Sequence, residues 1–292
     1  TDLGLDFYGD VDRLIDDLNS VERYVPSKWE WLDNCLGGGF LEAGKALYVF
    51  AGETNIGKSI FLGNIASNIA EEGKNVLLVT LEMSELLYAR RICSNVTKIP
   101  MKELAQNSAS IKQGMYNQGG KIFIKEFPPA TITANQLKAF IKKFEEQGIK
   151  LDAIVLDYLN LMHSTVGNNS YERIKHVTEQ VRAMSYLFNC PIISATQLNR
   201  AGFDTDNPDL ATISESIGLA ATADAIVSIF QNEEDRGIGV IRLGMMKNRY
   251  GPRGITQAMR IDYSTLTIEQ ADDVEIGEDM DDTLNILAGL AQ

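Results

Sequence analysis

An apolar run at Ala46–Phe50 leads into Gly52-Glu53-Thr54-Asn55-Ile56-Gly57-Lys58-Ser59, and a helical pattern opens at Lys58. Strand, glycine turn and helix follow one another with the spacing G-x-x-x-x-G-K-[ST], in the context that gives that pattern meaning. The glycines let backbone N–H groups surround phosphate oxygens, and the helix N-terminus adds its partial positive charge. Lys58 can reach the β and γ phosphates as a point charge, and the Ser59 hydroxyl can ligate magnesium. Residues 52–59 are therefore expected to hold a nucleoside triphosphate and Mg²⁺. ATP, GTP and dTTP stay open, because no residue that reads the base can be identified.

Such a loop demands a sheet, and the rest of the chain supplies one. Apolar runs suited to strands fall at Ala46–Phe50, Asn75–Leu81, Lys121–Lys125, Asp152–Leu156, Pro191–Ala195, Asp224–Phe230, Gly239–Met245 and Gln257–Ile261. Helical patterns at 58–71, 84–96, 133–147 and 170–189 alternate with them, with Ser84 and Thr133 as N-caps and Gly73 and Gly148 as stops. The predicted fold class is α/β, a twisted, mostly parallel sheet flanked by helices. Ahead of it, Val11, Leu14, Ile15 and Leu18 form the apolar stripe of a short helix over 8–18, too short to be stable alone. Its stripe must dock on this core or on a neighbouring copy.

The net charge of −13 argues at first sight against a polyanionic partner. Residues 1–22 carry seven acids and one base, however, and residues 261–292 carry nine acids and no base, leaving 24 acids against 26 bases in between. The acidic ends remove the objection to nucleic acid without supplying evidence for it. No apolar stretch approaches the roughly 20 residues of a membrane span and no signal-peptide layout opens the chain, so the expected compartment is cytoplasmic, with no membrane partner. Cys35, Cys93 and Cys190 lack disulfide or zinc spacing and read as packing residues. His163 and His176 form no metal pattern.

Four further positions suit triphosphate chemistry. Asp157 ends the apolar run Ala153–Leu156, where a carboxylate can hold magnesium through water, although strands also end in Asp to open a turn. Glu82, just past Leu81, can orient and deprotonate water, or merely complement the dipole of the following helix. Gln197 lies past the Pro191–Ala195 run and can sense the γ phosphate. The segment Lys247-Asn248-Arg249-Tyr250-Gly251-Pro252 puts two cations at a strand end, which reads as a finger given to a neighbour or as a solvated basic turn.

These segments, taken in order with Thr80-Leu81-Glu82-Met83, Leu156-Asp157-Tyr158-Leu159-Asn160-Leu161-Met162 and Ala195-Thr196-Gln197-Leu198-Asn199-Arg200, resemble the C-terminal ATPase domain of DnaB-family replicative ring helicases, over roughly residues 26–270. The layout is most similar to helicases of large tailed phages. The resemblance implies a RecA-like P-loop core and makes Glu82 the catalytic base, Asp157 and Ser59 the magnesium residues, Gln197 the γ-phosphate sensor, and Lys247 and Arg249 a pair acting in trans. It also implies a homo-hexamer with single-stranded DNA in its channel, moving 5′ to 3′. Channel loops would carry Gly167, Asn168, Asn169, Arg200, Gly202, Ser214, Glu215 and Ser216, using backbone N–H groups and short polar side chains.

The family's Arg-Glu-Ser-Gly is Ser214-Glu215-Ser216-Ile217 here, which puts a charge-based grip on DNA at that position in doubt. The resemblance further implies residues 1–25 as a linker helix region docked in trans, and a first residue other than Met suggests an N-terminal domain upstream of this chain. The acidic tail, residues 271–292, is expected to be mobile and to contact a primase, helicase loader or polymerase. Two other readings stay open: a RecA- or RadA-like recombination ATPase, which shares the Lys-Asn-Arg-aromatic-Gly element, and an ATP-holding clamp with weak turnover. The Leu156–Met162 run and Glu82-Met83 favour the helicase over the first, and intact Glu82 and Arg249 argue against the second.

Overall fold

The computed structural model describes residues 4–116, 119–164, 166–167, 169–198 and 217–271. A short antiparallel pair, β1 (Tyr24–Val25) and β2 (Phe40–Leu41), precedes the main sheet. That sheet holds β3 (Leu47–Gly52), β4 (Val76–Thr80), β5 (Ile122–Glu126), β6 (Ala153–Asp157), β7 (Ile192–Gln197), β8 (Ala225–Phe230), β9 (Val240–Asn248), β10 (Thr256–Asp262) and β11 (Thr267–Gln270). Its order is β11-β10-β9-β8-β3-β7-β6-β4-β5. From β8 to β5 all neighbours are parallel, and β9, β10 and β11 extend the sheet as an antiparallel meander.

Helices α1 (Val11–Asn19), α2 (Glu30–Cys35), α3 (Lys58–Glu71), α4 (Glu85–Thr97), α5 (Ser108–Tyr116), α6 (Ala134–Glu146), α7 (Ser170–Leu187), α8 (Ile217–Thr222) and α9 (Glu233–Gly237) complete the chain. Every residue of β3, β4 and β6 is buried, which is why these strands read as unbroken apolar runs instead of alternating ones. On one face Phe61, Leu62, Ile65, Tyr88 and Ile92 of α3 and α4 pack on Phe50, Leu78 and Val155. On the other, Leu137, Ile141, Val177, Val181 and Met184 of α6 and α7 pack on Val49, Leu77 and Ile154.

The helices expected within the sheet region fall within two residues of their predicted ends, and the one expected over 8–18 begins three residues later, at Val11. Ser84 accepts the Leu87 N–H, and Thr133 forms a complete capping box with Gln136. All three cysteines are buried and unpaired with one another. Two of the unexpected elements lack an apolar pattern. Strand β11 is a four-residue edge strand, and α9 is one turn of acids capped by Asn232, with too few apolar positions for any period to show. The apolar stripe of α1 stays open: the helix buries no residue, and Leu18 is 74% exposed. Among the described residues no helix is long and apolar enough to cross a membrane. The expected tail, apart from Ala271, lies outside the described residues, as do Asn168, Arg200, Gly202, Ser214, Glu215 and Ser216.

Candidate nucleotide site

The carboxyl ends of β3, β4, β6 and β7 meet on one side of the sheet, where open α/β folds bind their ligands. Gly52 pairs in register with Gln197, and Thr80 with Asp157. Backbone bonds tie these ends together, from the Leu198 N–H to Gly52 O (3.1 Å) and from the Leu81 N–H to Asp157 O (2.8 Å). Four segments distant in sequence are thereby brought to one cleft of about 330 Å³, lined among others by Thr54, Lys58, Ser59, Glu82, Arg91, Tyr158 and Gln197. A larger groove of about 490 Å³ runs between α6 and α7, but its polar lining, Asn135, Lys138, Gln180 and Tyr186, includes no carboxylate and no glycine-rich turn. The smaller cleft is therefore the candidate site.

The loop between β3 and α3 has the backbone that its glycines permit. Gly57, the residue ahead of α3, takes φ +100°, where a side chain is strained. A Cβ on Gly52 would meet Ile56 Cγ2 at 2.7 Å, so the loop closes tightly only with glycine there. Lys58 Nζ donates to the carbonyls of Gly52 (3.2 Å) and Glu53 (2.6 Å), which holds it across the mouth of its own loop. Burial pushes the Lys58 ammonium below its ordinary pKa, opposed by the charges of Asp157, Glu82 and Glu53 that face it. Gln197 Nε2 donates to Thr54 Oγ1 at 2.6 Å, so the expected sensor touches the phosphate loop directly. Glu82 is exposed at the cleft, held at the end of β4 by a turn in which Thr80 Oγ1 bonds both the N–H and the carbonyl of Met83, each at 3.0 Å.

Asp157 is fully buried, and neither carboxylate oxygen has a hydrogen-bond partner of ordinary geometry. Burial raises its pKa from 3.8 to about 6, against the pull of the nearby Ser59 and Tyr88 hydroxyls and of Lys58, while Glu82 pushes it further up. A carboxylate left without partners beside a hydroxyl fits a cation held between them. In its absence the charge is a liability of about 3 kcal/mol at neutral pH. The folded chain favours the protonated form, so the penalty is absent below the unfolded pKa, grows as pH rises and is complete above about 6. Asp157→Asn, whose amide is itself imperfectly satisfied, is therefore expected to raise the thermal midpoint of the nucleotide-free protein at pH 8 by about 2–4 °C, with roughly half the gain gone at pH 5. A lower midpoint at pH 8 would contradict this account of the site.

Lys247 and Arg249 stand elsewhere. Lys247 Nζ donates to the carbonyls of Ala220 (2.7 Å) and Ala221 (3.1 Å) in α8, and Arg249 Nη1 to Asp224 Oδ1 (2.8 Å). The turn, read as a finger for a neighbour or as a solvated basic turn, is thus fastened to its own fold, with the Arg249 side chain 49% exposed. Asn169 caps α7 by accepting the Glu172 N–H at 2.8 Å, so its side-chain oxygen is engaged locally. Arg91 and Tyr88 carry no motif of their own. Leu87 and Arg91 lie one turn apart on α4 and both face the cleft, a spacing that the Ser84 cap would have revealed. Tyr88 is buried, and its hydroxyl donates to Ser59 O at 3.0 Å. Nothing in the sequence marks that bond.

The DnaB-like helicase C terminal domain family matches residues 25–267. The chain is 27% identical over 244 residues to the DnaB-like replicative helicase of Enterobacteria phage T4, covering 79% of this chain and 51% of that protein. It is 25% identical over 228 residues to the replicative DNA helicase DnaB of Geobacillus stearothermophilus, covering 72% and 49%. The chain thus spans about half the length of the curated relatives it matches. Among solved structures, an ATPase domain superposes with a TM-score of 0.77 at 19% identity, covering 93% of this chain and 100% of its own. A DnaB-like replicative helicase, studied for its interactions with primase, superposes with a TM-score of 0.76 at 18% identity, covering 91% and 68%. Both likenesses agree with the RecA-like fold. The family match runs from Val25, the last residue of β1, to Thr267, the first of β11, and the chain belongs to the DnaB-like helicase C-terminal domain family.

Proposed function

We propose that this chain is the motor domain of a replicative ring helicase, which hydrolyses ATP with Mg²⁺ at sites shared between neighbouring copies and couples turnover to 5′-to-3′ movement along single-stranded DNA and to unwinding at a fork. The observation that carries the reading is where the two cations sit. Lys247 pairs with Ile226 and Asn248 with Ala225, and Ala225 in turn pairs with Tyr48, near the start of β3. The phosphate loop leaves the other end of β3 at Gly52, roughly 13 Å along the strand. Arg249, tied to Asp224 at the start of β8, cannot serve its own loop without leaving that anchor. A second copy that brings its Lys247 and Arg249 to this cleft supplies the positive charge that the cleft needs.

In that arrangement the loop N–H groups and Lys58 bind the β and γ phosphates. Ser59 would ligate Mg²⁺ and Asp157 would hold it through water; the cation, when bound, neutralises charge on the phosphate oxygens. Glu82 orients a water toward the γ phosphate and takes its proton. Gln197 reports the presence of that phosphate to β7 through its contact at Thr54. A ring of six such copies, single-stranded DNA in the channel, and a primase, loader or polymerase on the acidic tail complete the reading, supported by the family likeness and the sequence. The motor reading is tested by forked-DNA unwinding and ATPase assays on the full-length protein, with ATP, GTP and dTTP. Unwinding that needs a 5′ tail, and ATPase stimulated by single-stranded DNA, are the expected results. Turnover indifferent to single-stranded DNA would overturn it.

A further inference from the structure

The Lys247–Pro252 turn is built more rigidly than an exposed hairpin needs to be, and one buried carboxylate lies at the centre of its fastening. Asp224 is 1% exposed. Its Oδ2 accepts the Leu47 N–H (2.9 Å) and Arg182 Nε (2.8 Å); its Oδ1 accepts Arg182 Nη2 (2.9 Å) and Arg249 Nη1 (2.8 Å). The Asp224 backbone carbonyl also accepts the Arg249 N–H at 3.0 Å. A bidentate Arg182 and a strand N–H fix the carboxylate in plane, and the fixed carboxylate holds one corner of the Arg249 guanidinium. Around it, Asn248 Nδ2 donates to Cys35 O (2.7 Å) and Pro252 O (3.0 Å), and the Tyr250 ring lies 6.0 Å from that of Tyr48. Sheet, α2 and α7 are thus all fastened to the finger.

We propose that Asp224, itself oriented by Arg182, is a positioning residue that presents Arg249 to the neighbouring copy's nucleotide; this rests on the trans reading above. Four acceptor contacts exceed what stability alone recommends, since a buried ion pair is often replaceable by apolar packing without loss. Their geometry instead leaves the guanidinium half exposed and aimed by a rigid frame, as a preorganised catalytic cation requires. A misplacement of 1 Å can reduce turnover about 10²-fold.

The test uses full-length subunits and a split between kcat and KM. Asp224→Asn keeps an acceptor for the Leu47 N–H but loses the charge, and should lower kcat about 10²-fold with KM for ATP little changed. Its phosphate loop is intact, so mixing it with Lys58→Ala subunits, which keep a normal finger, should restore turnover. Mixing it with Arg249→Ala subunits should restore none. Lys58→Ala mixed with Arg249→Ala is the control, and failure there overturns the trans reading itself. If that control recovers while Asp224→Asn keeps normal kcat, or recovers with neither partner, the positioning role is wrong. Arg182→Gln leaves the Asp224–Arg249 pair in place and should show a milder fall, about tenfold, with the same mixing pattern, which keeps the proposal testable if Asp224→Asn does not fold.

Discussion

Arg249→Ala is expected to lower kcat about 10³- to 10⁵-fold while nucleotide affinity stays within a few-fold of wild type. The asymmetry follows from where the side chain sits. Arg249 is fastened at the start of β8, and the phosphate loop opens from the far end of β3. Each subunit therefore keeps an undamaged loop, with Lys58, Ser59 and Gln197 in place, and binding is preserved. On the trans reading, what disappears is a cation that stabilises charge on the transferring phosphoryl, which is worth most where water is excluded. Steady-state ATPase together with a fluorescent-nucleotide titration reads both quantities. A parallel loss of affinity and turnover would instead make Arg249 an ordinary binding residue.

Glu82→Gln should be nearly as damaging, by about 10²- to 10⁴-fold in kcat, and for the opposite half of the site. The side chain is exposed at the cleft, and its backbone is set by the Thr80–Met83 turn, which the substitution leaves untouched. An amide of the same shape can orient water but cannot take its proton. The variant should therefore fold, bind ATP with Mg²⁺ and accumulate as the bound, unhydrolysed state. Lys58→Ala provides the contrast, because it removes a charge from the phosphates and should weaken binding as well. Rapid-quench assay of the bound nucleotide separates the two, with ATP expected on Glu82→Gln and little nucleotide of any kind on Lys58→Ala.

The parts of this molecule that were legible in the sequence are those with a short-range cause. The strand, turn and helix at residues 46–71 announce themselves through Gly52, Gly57 and an apolar run, and α4 and α6 through Ser84 and Thr133. Glu82, Asp157 and Gln197 were likewise singled out from their places just past or at strand ends; because β4, β6 and β7 run parallel, Glu82 and Gln197 line one cleft, and Asp157 lies buried at the β6 end next to it. What the sequence hid depends on pairs far apart in the chain. Asp224 meets Arg182 across 42 residues and Leu47 across 177, and neither spacing has a periodicity to betray it. The poor partnering of the Asp157 carboxylate is equally invisible, since only packing decides whether a strand-end Asp meets well-aligned donors. Strand β11 was missed because an edge strand of four residues with Glu269 and Gln270 carries too little apolar pattern to stand out.

The claim at the centre of this account is that the catalytic site is shared between copies, and subunit mixing tests it most directly. Glu82→Gln and Arg249→Ala subunits are each nearly inactive alone, but a mixed ring contains interfaces where an intact Glu82 of one copy faces an intact Arg249 of the next. At equal amounts, roughly a quarter of the interfaces in randomly assembled rings are of this kind. ATPase rising to a comparable fraction of wild type, with a maximum near equal proportions, is the predicted result. Turnover that stays at the level of the separate variants at every ratio, in rings shown to contain both subunits, would contradict it.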